Sequence, residues 1–346
     1  MAFPGDYTLL GKKTLPTITG MHFDFVQLLK YDDFDYTYVG GETLTGNLLD
    51  YLDDGGGDLR FSSDSAGTNQ LACEVVQLDK VGNSIQVWVK IPFAFTGIEV
   101  FIWGDNTGDS QPAVTDTYGR NAVWSNFFYV SHDGVTDSTG THTITLFGSP
   151  SSAPDPFGGS NAIDLNGSSQ YGRAAVSYVR SRPMTYQVWA NPDVLPGSNV
   201  GILGSYSSSQ AFRFDSLKLS TGDDFGFFDR VNNNTEVLSS VSVSTSNWYK
   251  VTTIANSSSS RSIIVDGSTK NTDTTSNPSF TATMNRLTFG RFDDSSPGSY
   301  FNGQLAEMRV LFGAVSDDLE LTEYQNQSSV GEWGVTSGIA GGGGIV

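Results

Sequence analysis

Short runs in which apolar and polar residues alternate, separated by Gly, Asp, Asn, Ser and Pro, repeat along most of this chain. The clearest is IQVWVKIPF, where Ile85, Val87, Val89 and Ile91 fall at every second position with Gln86 and Lys90 among the residues between them. That spacing puts alternate side chains on opposite faces of a β-strand. HFDFVQLL, GIEVFIWG, VWSNFFYVSHDG and THTITLFG read the same way. From residue 162 onward come AIDL, YGRAAV, MTYQVWANP, VGILGSY, AFRFDSLKLS, FGFFDRV, WYKVTTIAN, RSIIVDGSTK, NRLTFGRF and GQLAEMRVLFG. Many short strands with turn residues between them predict an all-β protein made of sandwiches or barrels. Two glycine turns are expected within residues 36–61, and a tight Asp-Gly hairpin at Val265–Ser268. One helix is expected in SDDLELTEYQNQ, with Ser316 as its cap, acids in its first turn and Leu319, Leu321 and Tyr324 as its apolar side.

Composition narrows the class. The chain has 346 residues, enough for more than one domain with a real core. It carries 22 Phe, 14 Tyr and 39 Gly, which suits strands and turns and argues against disorder. The formal net charge of -18, with no basic cluster, excludes a nucleic-acid partner and an anionic membrane surface. The acidic pairs Asp53-Asp54, Asp223-Asp224 and Asp293-Asp294 are either solvated surface or gathering points for divalent cations. Cys73 is the single cysteine, so an intramolecular disulfide and a thiolate zinc site are both excluded. It lies in an apolar run and is expected to be a buried thiol. No basic start followed by an apolar stretch is present, and no window is apolar for the length of a membrane span. With Met1 in place, this leads to the expectation of a product folded in the cytoplasm.

The expected organisation is a polar arm (1–20), a β-sandwich domain (21–118), a second β-domain (119–329) and a Gly-rich tail (330–346). The Pro/Gly/Ser stretch 149–161 reads either as a domain linker or as a long rim loop inside the second domain. Both the arm and the tail are candidates for contacts with further chains.

The second domain carries a specific resemblance. AIDLNGSSQYGRAAV, MTYQVWANP, NWYKVTTIAN, IIVDGS, LTFGRF, YFNGQLAEMRVLFGAVS and LTEYQNQSS follow one another in order. Together they resemble the laminin-G-like jelly rolls of the concanavalin A-like lectin/glucanase superfamily. Upstream, GGGDLRFSSDSAGTNQLACEVVQLD with VWVKIP and VFIWGDN resembles a β-domain of unknown function. That domain precedes such jelly rolls in bacterial surface proteins and phage virion proteins.

The resemblance implies chemistry to look for. Glucanases of the superfamily carry Glu-x-Asp-x-x-Glu on one strand, because glycoside cleavage uses two carboxylates at a controlled separation. No such spacing occurs, and Glu307 stands alone in LAEMRV. Glu74 has only Asp79, on the opposite side of a regular strand. His22, His132 and His142 show no metal-ligand spacing, and His132 beside Asp133 reads as a strand-end histidine with ordinary hydrogen bonds. Gly-x-Ser-x-Gly and phosphate-loop motifs are missing. Many laminin-G-like domains hold calcium at the sandwich rim, often through an Asp at the position that is Ala306 here. Calcium is thus the one cofactor the resemblance allows, with Asp133, Asp137 and Asn166 as candidate ligands. For carbohydrate, aromatic faces in or beside loops are the expected platform, and Tyr206, Phe228, Arg230 and Tyr300 are the candidates.

Three functions follow as expectations. The first is a non-enzymatic structural protein of a phage virion, as a tail, fibre or capsid-surface component. It would display a lectin-like jelly roll, contact other virion proteins, and self-associate through arm and tail, with cell-surface glycans as a ligand. The second is a secreted bacterial glycan-binding adhesin, which needs an export route. The third is a divergent polysaccharide hydrolase.

Overall fold

The computed structural model describes residues 3–34, 48–209, 213–231, 233–277, 283–329 and 333–338. The turn expected at Gly40–Gly41 and the glycine run 341–344 lie outside them. The chain divides into two compact units: residues 1–124 with 157–159 and 322–346, and residues 125–156 with 160–321.

The first unit is built on two sheets. One runs in the order Val335–Gly338, Thr8–Thr14, Glu99–Gly104, Arg60–Ser62, Gln70–Leu71, and the other His22–Lys30, Ser84–Ala94, Cys73–Asp79. Residues 1–20 are therefore not a free arm. Thr8–Thr14 lies between two strands, and its Gly11–Thr14 portion pairs antiparallel with Val335–Gly338 of the expected tail. Pairing within one chain satisfies the backbone groups that a detached arm and tail would offer to other copies. Lys13 of this strand is buried and bonds Asp33 at 2.5 Å. The strand Ser84–Ala94 buries Ile85, Val87, Val89 and Ile91 as expected, but Gln86 and Trp88 are buried too. Trp88 meets Trp124 edge-on at 5.5 Å, so this central strand is covered on both faces. Cys73 is a buried thiol, and desolvation pushes it up to about 12.

The second unit is a sandwich of two large sheets, with short strand pairs joined to each. The first runs Ser151–Ala153, Ala162–Asn166, Asn302–Leu311, Met184–Pro192, Tyr249–Ser257, Ser260–Val265, Thr269–Asp273. The second runs Asn233–Ser242, Asp224–Val231, Arg213–Leu219, Val200–Tyr206, Thr283–Phe289, Tyr171–Val179, Ile144–Phe147. One continuous apolar core lies between them, including Tyr186, Val188, Leu217, Phe227, Ile263, Leu287 and Leu305. The stretch 149–161 contributes the edge strand Ser151–Ala153 rather than only a loop. The Asp-Gly hairpin forms as read: Asp266 and Gly267 both take positive φ, and the Ser268 N–H closes the turn on the Val265 carbonyl.

The helix forms at Asp317–Ser328, and Ser316 Oγ accepts the Leu319 N–H at 3.1 Å, as a capping serine does. Its expected inward face does not hold. Leu319, Leu321 and Tyr324 are half-buried, while Glu320, Thr322, Glu323, Asn326 and Gln327 are buried. The polar residues go inside because they have partners there. In the second unit Glu320 accepts from Lys250 Nζ (2.5 Å) and Gln187 Nε2 (2.8 Å). In the first unit Asn326 bonds both backbone groups of Leu28.

Candidate functional site

The outer face of the second large sheet, turned away from the core, carries a second and smaller aromatic cluster. Strand alternation explains it. Leu217 and Phe227 point into the core, so Ser216, Lys218, Phe228 and Arg230 point out. Tyr206, Phe214 and Phe228 form the cluster, and Phe292 packs on it from the segment that follows Gly290. The Phe214–Phe292 and Phe228–Phe292 centroids lie 5.6 and 6.0 Å apart. Two short strands, Arg291–Phe292 and Gly298–Tyr300, pair with each other and hold the 291–300 loop over this face.

The loop fits because the second residue of Val200–Tyr206 is a glycine, Gly201. A Cβ on Gly201 would stand 2.4 Å from the Arg291 carbonyl carbon and 2.5 Å from the Phe292 nitrogen. Gly201→Ala is expected to cost about 1–3 kcal/mol through overpacking. It should also raise hydrogen exchange across residues 291–300, and unchanged protection there would show that the loop does not depend on this contact.

Two adjoining cavities open along this loop. One of about 370 Å³ is lined by Phe214, Phe228, Arg230, Phe292, Asn199 and Asp294 among others. The other, about 430 Å³, is lined by Tyr300, Asn302, Gly167, Ser168, Val194 and Pro196 among others. Ser198 and Ser299 belong to both.

Three of the four expected carbohydrate residues are thus brought together. Phe228 and Arg230 line one cavity and Tyr300 the other. Phe228 contributes less open face than a loop aromatic would, because Lys218 Nζ sits 4.0 Å from its ring centroid. Tyr206 is the exception. It is fully buried beneath the cluster, its hydroxyl bonding Ser216 Oγ (2.8 Å) and donating to the Arg291 carbonyl (3.2 Å), so it supports the loop and offers no surface. Phe292, Asn199, Asp294 and Asn302 were missed by sequence reasoning. The signal that points to Phe292 and Asp294 is the Asp/Ser/Pro/Gly run in GRFDDSSPGSY, a loop between two strands; Asn199 and Asn302 lie outside that run.

The candidate calcium ligands each hydrogen-bond within their own turns. Asp137 is buried and saturated: Oδ1 accepts from the N–H groups of Val130 and Thr139, and Oδ2 from those of Thr141 and His142 and from Thr139 Oγ1. Burial raises the Asp137 carboxyl, but the His142 and Thr139 side chains and these amides outweigh it and hold the group below its ordinary value. Asp133 caps Val135 and Thr136, and Asn166 Oδ1 accepts from Ser168, Ser169 and Gln170. All three organise their own turns through these hydrogen bonds. Among the described residues no group of three or more His, Cys, Asp or Glu is placed to hold a metal. Asp293 of the acidic pair 293–294 is likewise occupied, accepting from three arginines.

The carboxylates weighed for catalysis are engaged as well. Glu307 is not alone: it accepts from His132 Nδ1 at 2.6 Å and from Arg309 Nη2 at 2.9 Å, all three buried. His132 is thus half of a buried hydrogen-bonded pair with Glu307 rather than an ordinary strand-end histidine. Burial pushes the Glu307 carboxyl up, yet the charges and hydrogen bonds of His132 and Arg309 hold it below the usual range. Glu74 accepts from Trp124 Nε1 at 2.5 Å.

Residues 166–318 match the family model of the Concanavalin A-like lectin/glucanases superfamily. This part of the chain is a laminin-G-like jelly roll of that superfamily. No curated protein matches the chain. Among solved structures it is similar to domain 4 of AbnA, a GH43 extracellular arabinanase from Geobacillus stearothermophilus, in complex with arabinotriose. The identity is 18%, over 58% of this chain and 98% of that one, with a TM-score of 0.49. It is also similar to the receptor binding domain of botulinum neurotoxin C/D mosaic serotype, at 13% identity over 59% of this chain and 52% of that one, TM-score 0.48. A third is the botulinum neurotoxin serotype D ligand binding domain in complex with N-acetylneuraminic acid, at 12% identity over 58% and 51%, TM-score 0.47.

Proposed function

We propose that the second unit is a non-enzymatic glycan-binding module whose ligand lies along the 291–300 loop. The observation that carries this reading is the pair of joined cavities sharing Ser198 and Ser299. Their sizes fall at the lower end of the roughly 300–1,000 Å³ of ligand sites, and together they suit an elongated ligand. Their linings combine ring edges from Phe228, Phe292 and Tyr300 with the hydroxyl and amide groups of Ser198, Ser299, Asn199 and Asn302. Such a mixture of flat apolar surface and neutral hydrogen-bonding groups matches the two sides of a sugar ring. The superfamily model adds that this scaffold is used by lectins and glucanases. Binding is favoured over hydrolysis because Glu307 and Glu74 already serve as acceptors for neighbouring donors.

Ser198 is exposed and borders both cavities, so Ser198→Trp should fill them without touching the core. On a glycan array the wild-type protein is expected to bind and the variant to lose at least tenfold in signal, with circular dichroism and thermal midpoint unchanged. Equal binding by both would place the site elsewhere. An array on which wild type binds nothing would remove the function.

The wider setting we propose is display on a phage virion. Its support is the resemblance of residues 21–117 to a β-domain that precedes jelly rolls in virion and surface proteins. Detecting the chain in purified particles tests it, and its absence there would leave the adhesin reading.

A further inference from the structure

One group on the wall of the larger cavity has its hydrogen-bonding direction fixed by a neighbour that lies outside the cavity. Tyr300 is half-buried and lines that cavity, and its hydroxyl accepts from Arg291 Nη1 at 2.9 Å. Arg291 lines neither cavity and is itself firmly held. Its Nη2 donates to the buried Asp293 at 2.7 Å, and its guanidinium lies 3.6 Å from the Tyr171 ring centroid. Tyr171 is stacked on Phe147, with centroids 4.4 Å apart and planes at 4°. The Arg291 carbonyl accepts from the buried Tyr206 hydroxyl at 3.2 Å. Arg291 and Tyr300 are also cross-strand partners in the short pair that closes the loop. A guanidinium carries donors only, so it can give a hydrogen bond to Tyr300 Oη and never accept one. With that side of the phenol oxygen taken by the Arg291 N–H, the Tyr300 O–H must turn elsewhere. Among the described residues no acceptor meets it. By contrast, the hydroxyls of Ser198 and Ser299 and the carboxamide of Asn302 on the same cavity can each donate or accept.

We infer that Arg291 is a positioning residue that makes Tyr300 a one-way hydrogen-bond donor. The sugar unit in the larger cavity is thereby selected for an oxygen acceptor (hydroxyl, ether or carbonyl) facing Tyr300, and a donor-only group at that point is refused. The inference rests on the glycan-binding reading above and specifies what its ligand must present. The physical basis is polarity. A charge-assisted hydrogen bond is roughly twice as strong as a neutral one, so a neutral ligand does not displace Arg291 from the phenol oxygen. Hydrogen bonds in a chain polarise one another, which makes the Tyr300 O–H a better donor. A ligand donor placed against it leaves two donors unpaired, and an unmade hydrogen bond in a site closed to water costs more than a made one contributes. The charge of Arg291 is matched by Asp293, so the selection is for an acceptor and not for an anion.

The test uses the full chain and a panel of neutral oligosaccharides in which each hydroxyl in turn is kept, O-methylated or replaced by an amine, which is a donor-only ammonium at neutral pH. At one ring position wild type is expected to bind the amine form roughly tenfold more weakly than the parent, with the O-methyl form closer to the parent. Tyr300→Phe should bring the parent-to-amine ratio at that position near unity. Arg291→Gln should do the same, because its carboxamide oxygen can accept the Tyr300 proton and free the phenol oxygen to accept. Arg291→Lys, a donor without an acceptor, should keep the preference. A purely structural role for Arg291 would weaken every member alike and leave the ratio as in wild type, and that result would overturn the inference. A ratio that survives Tyr300→Phe, or a lysine variant that behaves like the glutamine one, would overturn it as well. A panel on which wild type binds nothing would instead strike the glycan reading. The polarity is then read without sugar, from the ζ-carbon resonance of Tyr300 in tyrosine-labelled protein, identified by its loss in Tyr300→Phe. It is expected to shift in Arg291→Gln and to return towards wild type in Arg291→Lys, and a resonance unmoved by Arg291→Gln would overturn the inference.

Discussion

Asp229→Ala is expected to destabilise the jelly roll by about 3–5 kcal/mol, the usual consequence of removing one partner from a buried charge network. Asp229 is fully buried and accepts from Arg180, from Arg182 at 2.5 Å and from Arg261 at 3.2 Å. Arg180 also clasps Asp215 through two nitrogens, and Arg261 reaches Asp273. Without Asp229, three guanidinium groups in a low-dielectric site lose their shared acceptor. Burial, joined by the nearby charge of Asp229, pushes Asp215 up to about 6 in spite of Arg180. Its folded value thus exceeds its ordinary 3.8, so the folded state binds this proton more tightly than the unfolded one. That carboxyl therefore opposes folding progressively as the pH rises from about 3.8 through about 6. Urea unfolding followed by hydrogen exchange in residues 171–231 measures the cost, and a drop in thermal midpoint on the order of 10 °C should accompany it. A loss below about 1 kcal/mol would mean that Asp215 and Asp273 suffice to hold the arginines.

Asn326→Ala should cost the first unit roughly 2–6 kcal/mol, through two unsatisfied buried backbone groups at about 1–3 kcal/mol each. Leu28 lies in the edge strand His22–Lys30 of the three-stranded sheet. Its N–H donates to Asn326 Oδ1 at 2.7 Å and its carbonyl accepts from Asn326 Nδ2 at 2.9 Å. A single carboxamide thereby does the work of one more strand at an edge that is otherwise unpaired among the described residues. Both residues have no solvent exposure, so water cannot replace the lost partner. Asn326→Asp keeps the acceptor for the Leu28 N–H but offers no donor to the carbonyl, and should fall between wild type and alanine only where the carboxyl is protonated. Loss of hydrogen-exchange protection at Leu28, measured in the full chain, is the direct readout. Retained protection in the alanine variant would show that the edge is covered by something other than this side chain.

These two sites also mark how far the sequence can be read. The strand Ser84–Ala94 was visible because Ile85, Val87, Val89 and Ile91 obey a local rule: side chains alternate faces whatever lies beyond them. The Asp-Gly turn at 266–267 and the Ser316 cap were visible for the same reason, since each is decided by a few neighbouring residues. The jelly roll itself was legible from seven ordered segments. The helix 317–328 was half legible. Its start is a local matter, but its buried face depends on where Lys250, Gln187 and Leu28 lie, far away in sequence. Hydrophobicity alone therefore turned Leu319, Leu321 and Tyr324 inward when the structure takes Glu320 and Asn326 instead.

The candidate site divides along the same line. Phe228, Arg230 and Tyr300 could be named from loop chemistry, and they do border one groove. Tyr206 looks identical in sequence, yet the 291–300 loop closes over it and makes it core. Asp133, Asp137 and Asn166 have the oxygens of a calcium site, and in the structure they accept hydrogen bonds from backbone N–H groups of their own turns. Free ligand atoms cannot be told from occupied ones without coordinates. By itself the sequence determined the all-β class, the jelly-roll scaffold, the acidic surface and the buried thiol of Cys73, because each follows from composition or from residues close along the chain. Only the tertiary structure decided that the first strand pairs with residues 335–338, that Glu307 is held by His132 and Arg309, and that three arginines gather on Asp293. Those outcomes depend on pairings between distant residues, which local pattern does not encode.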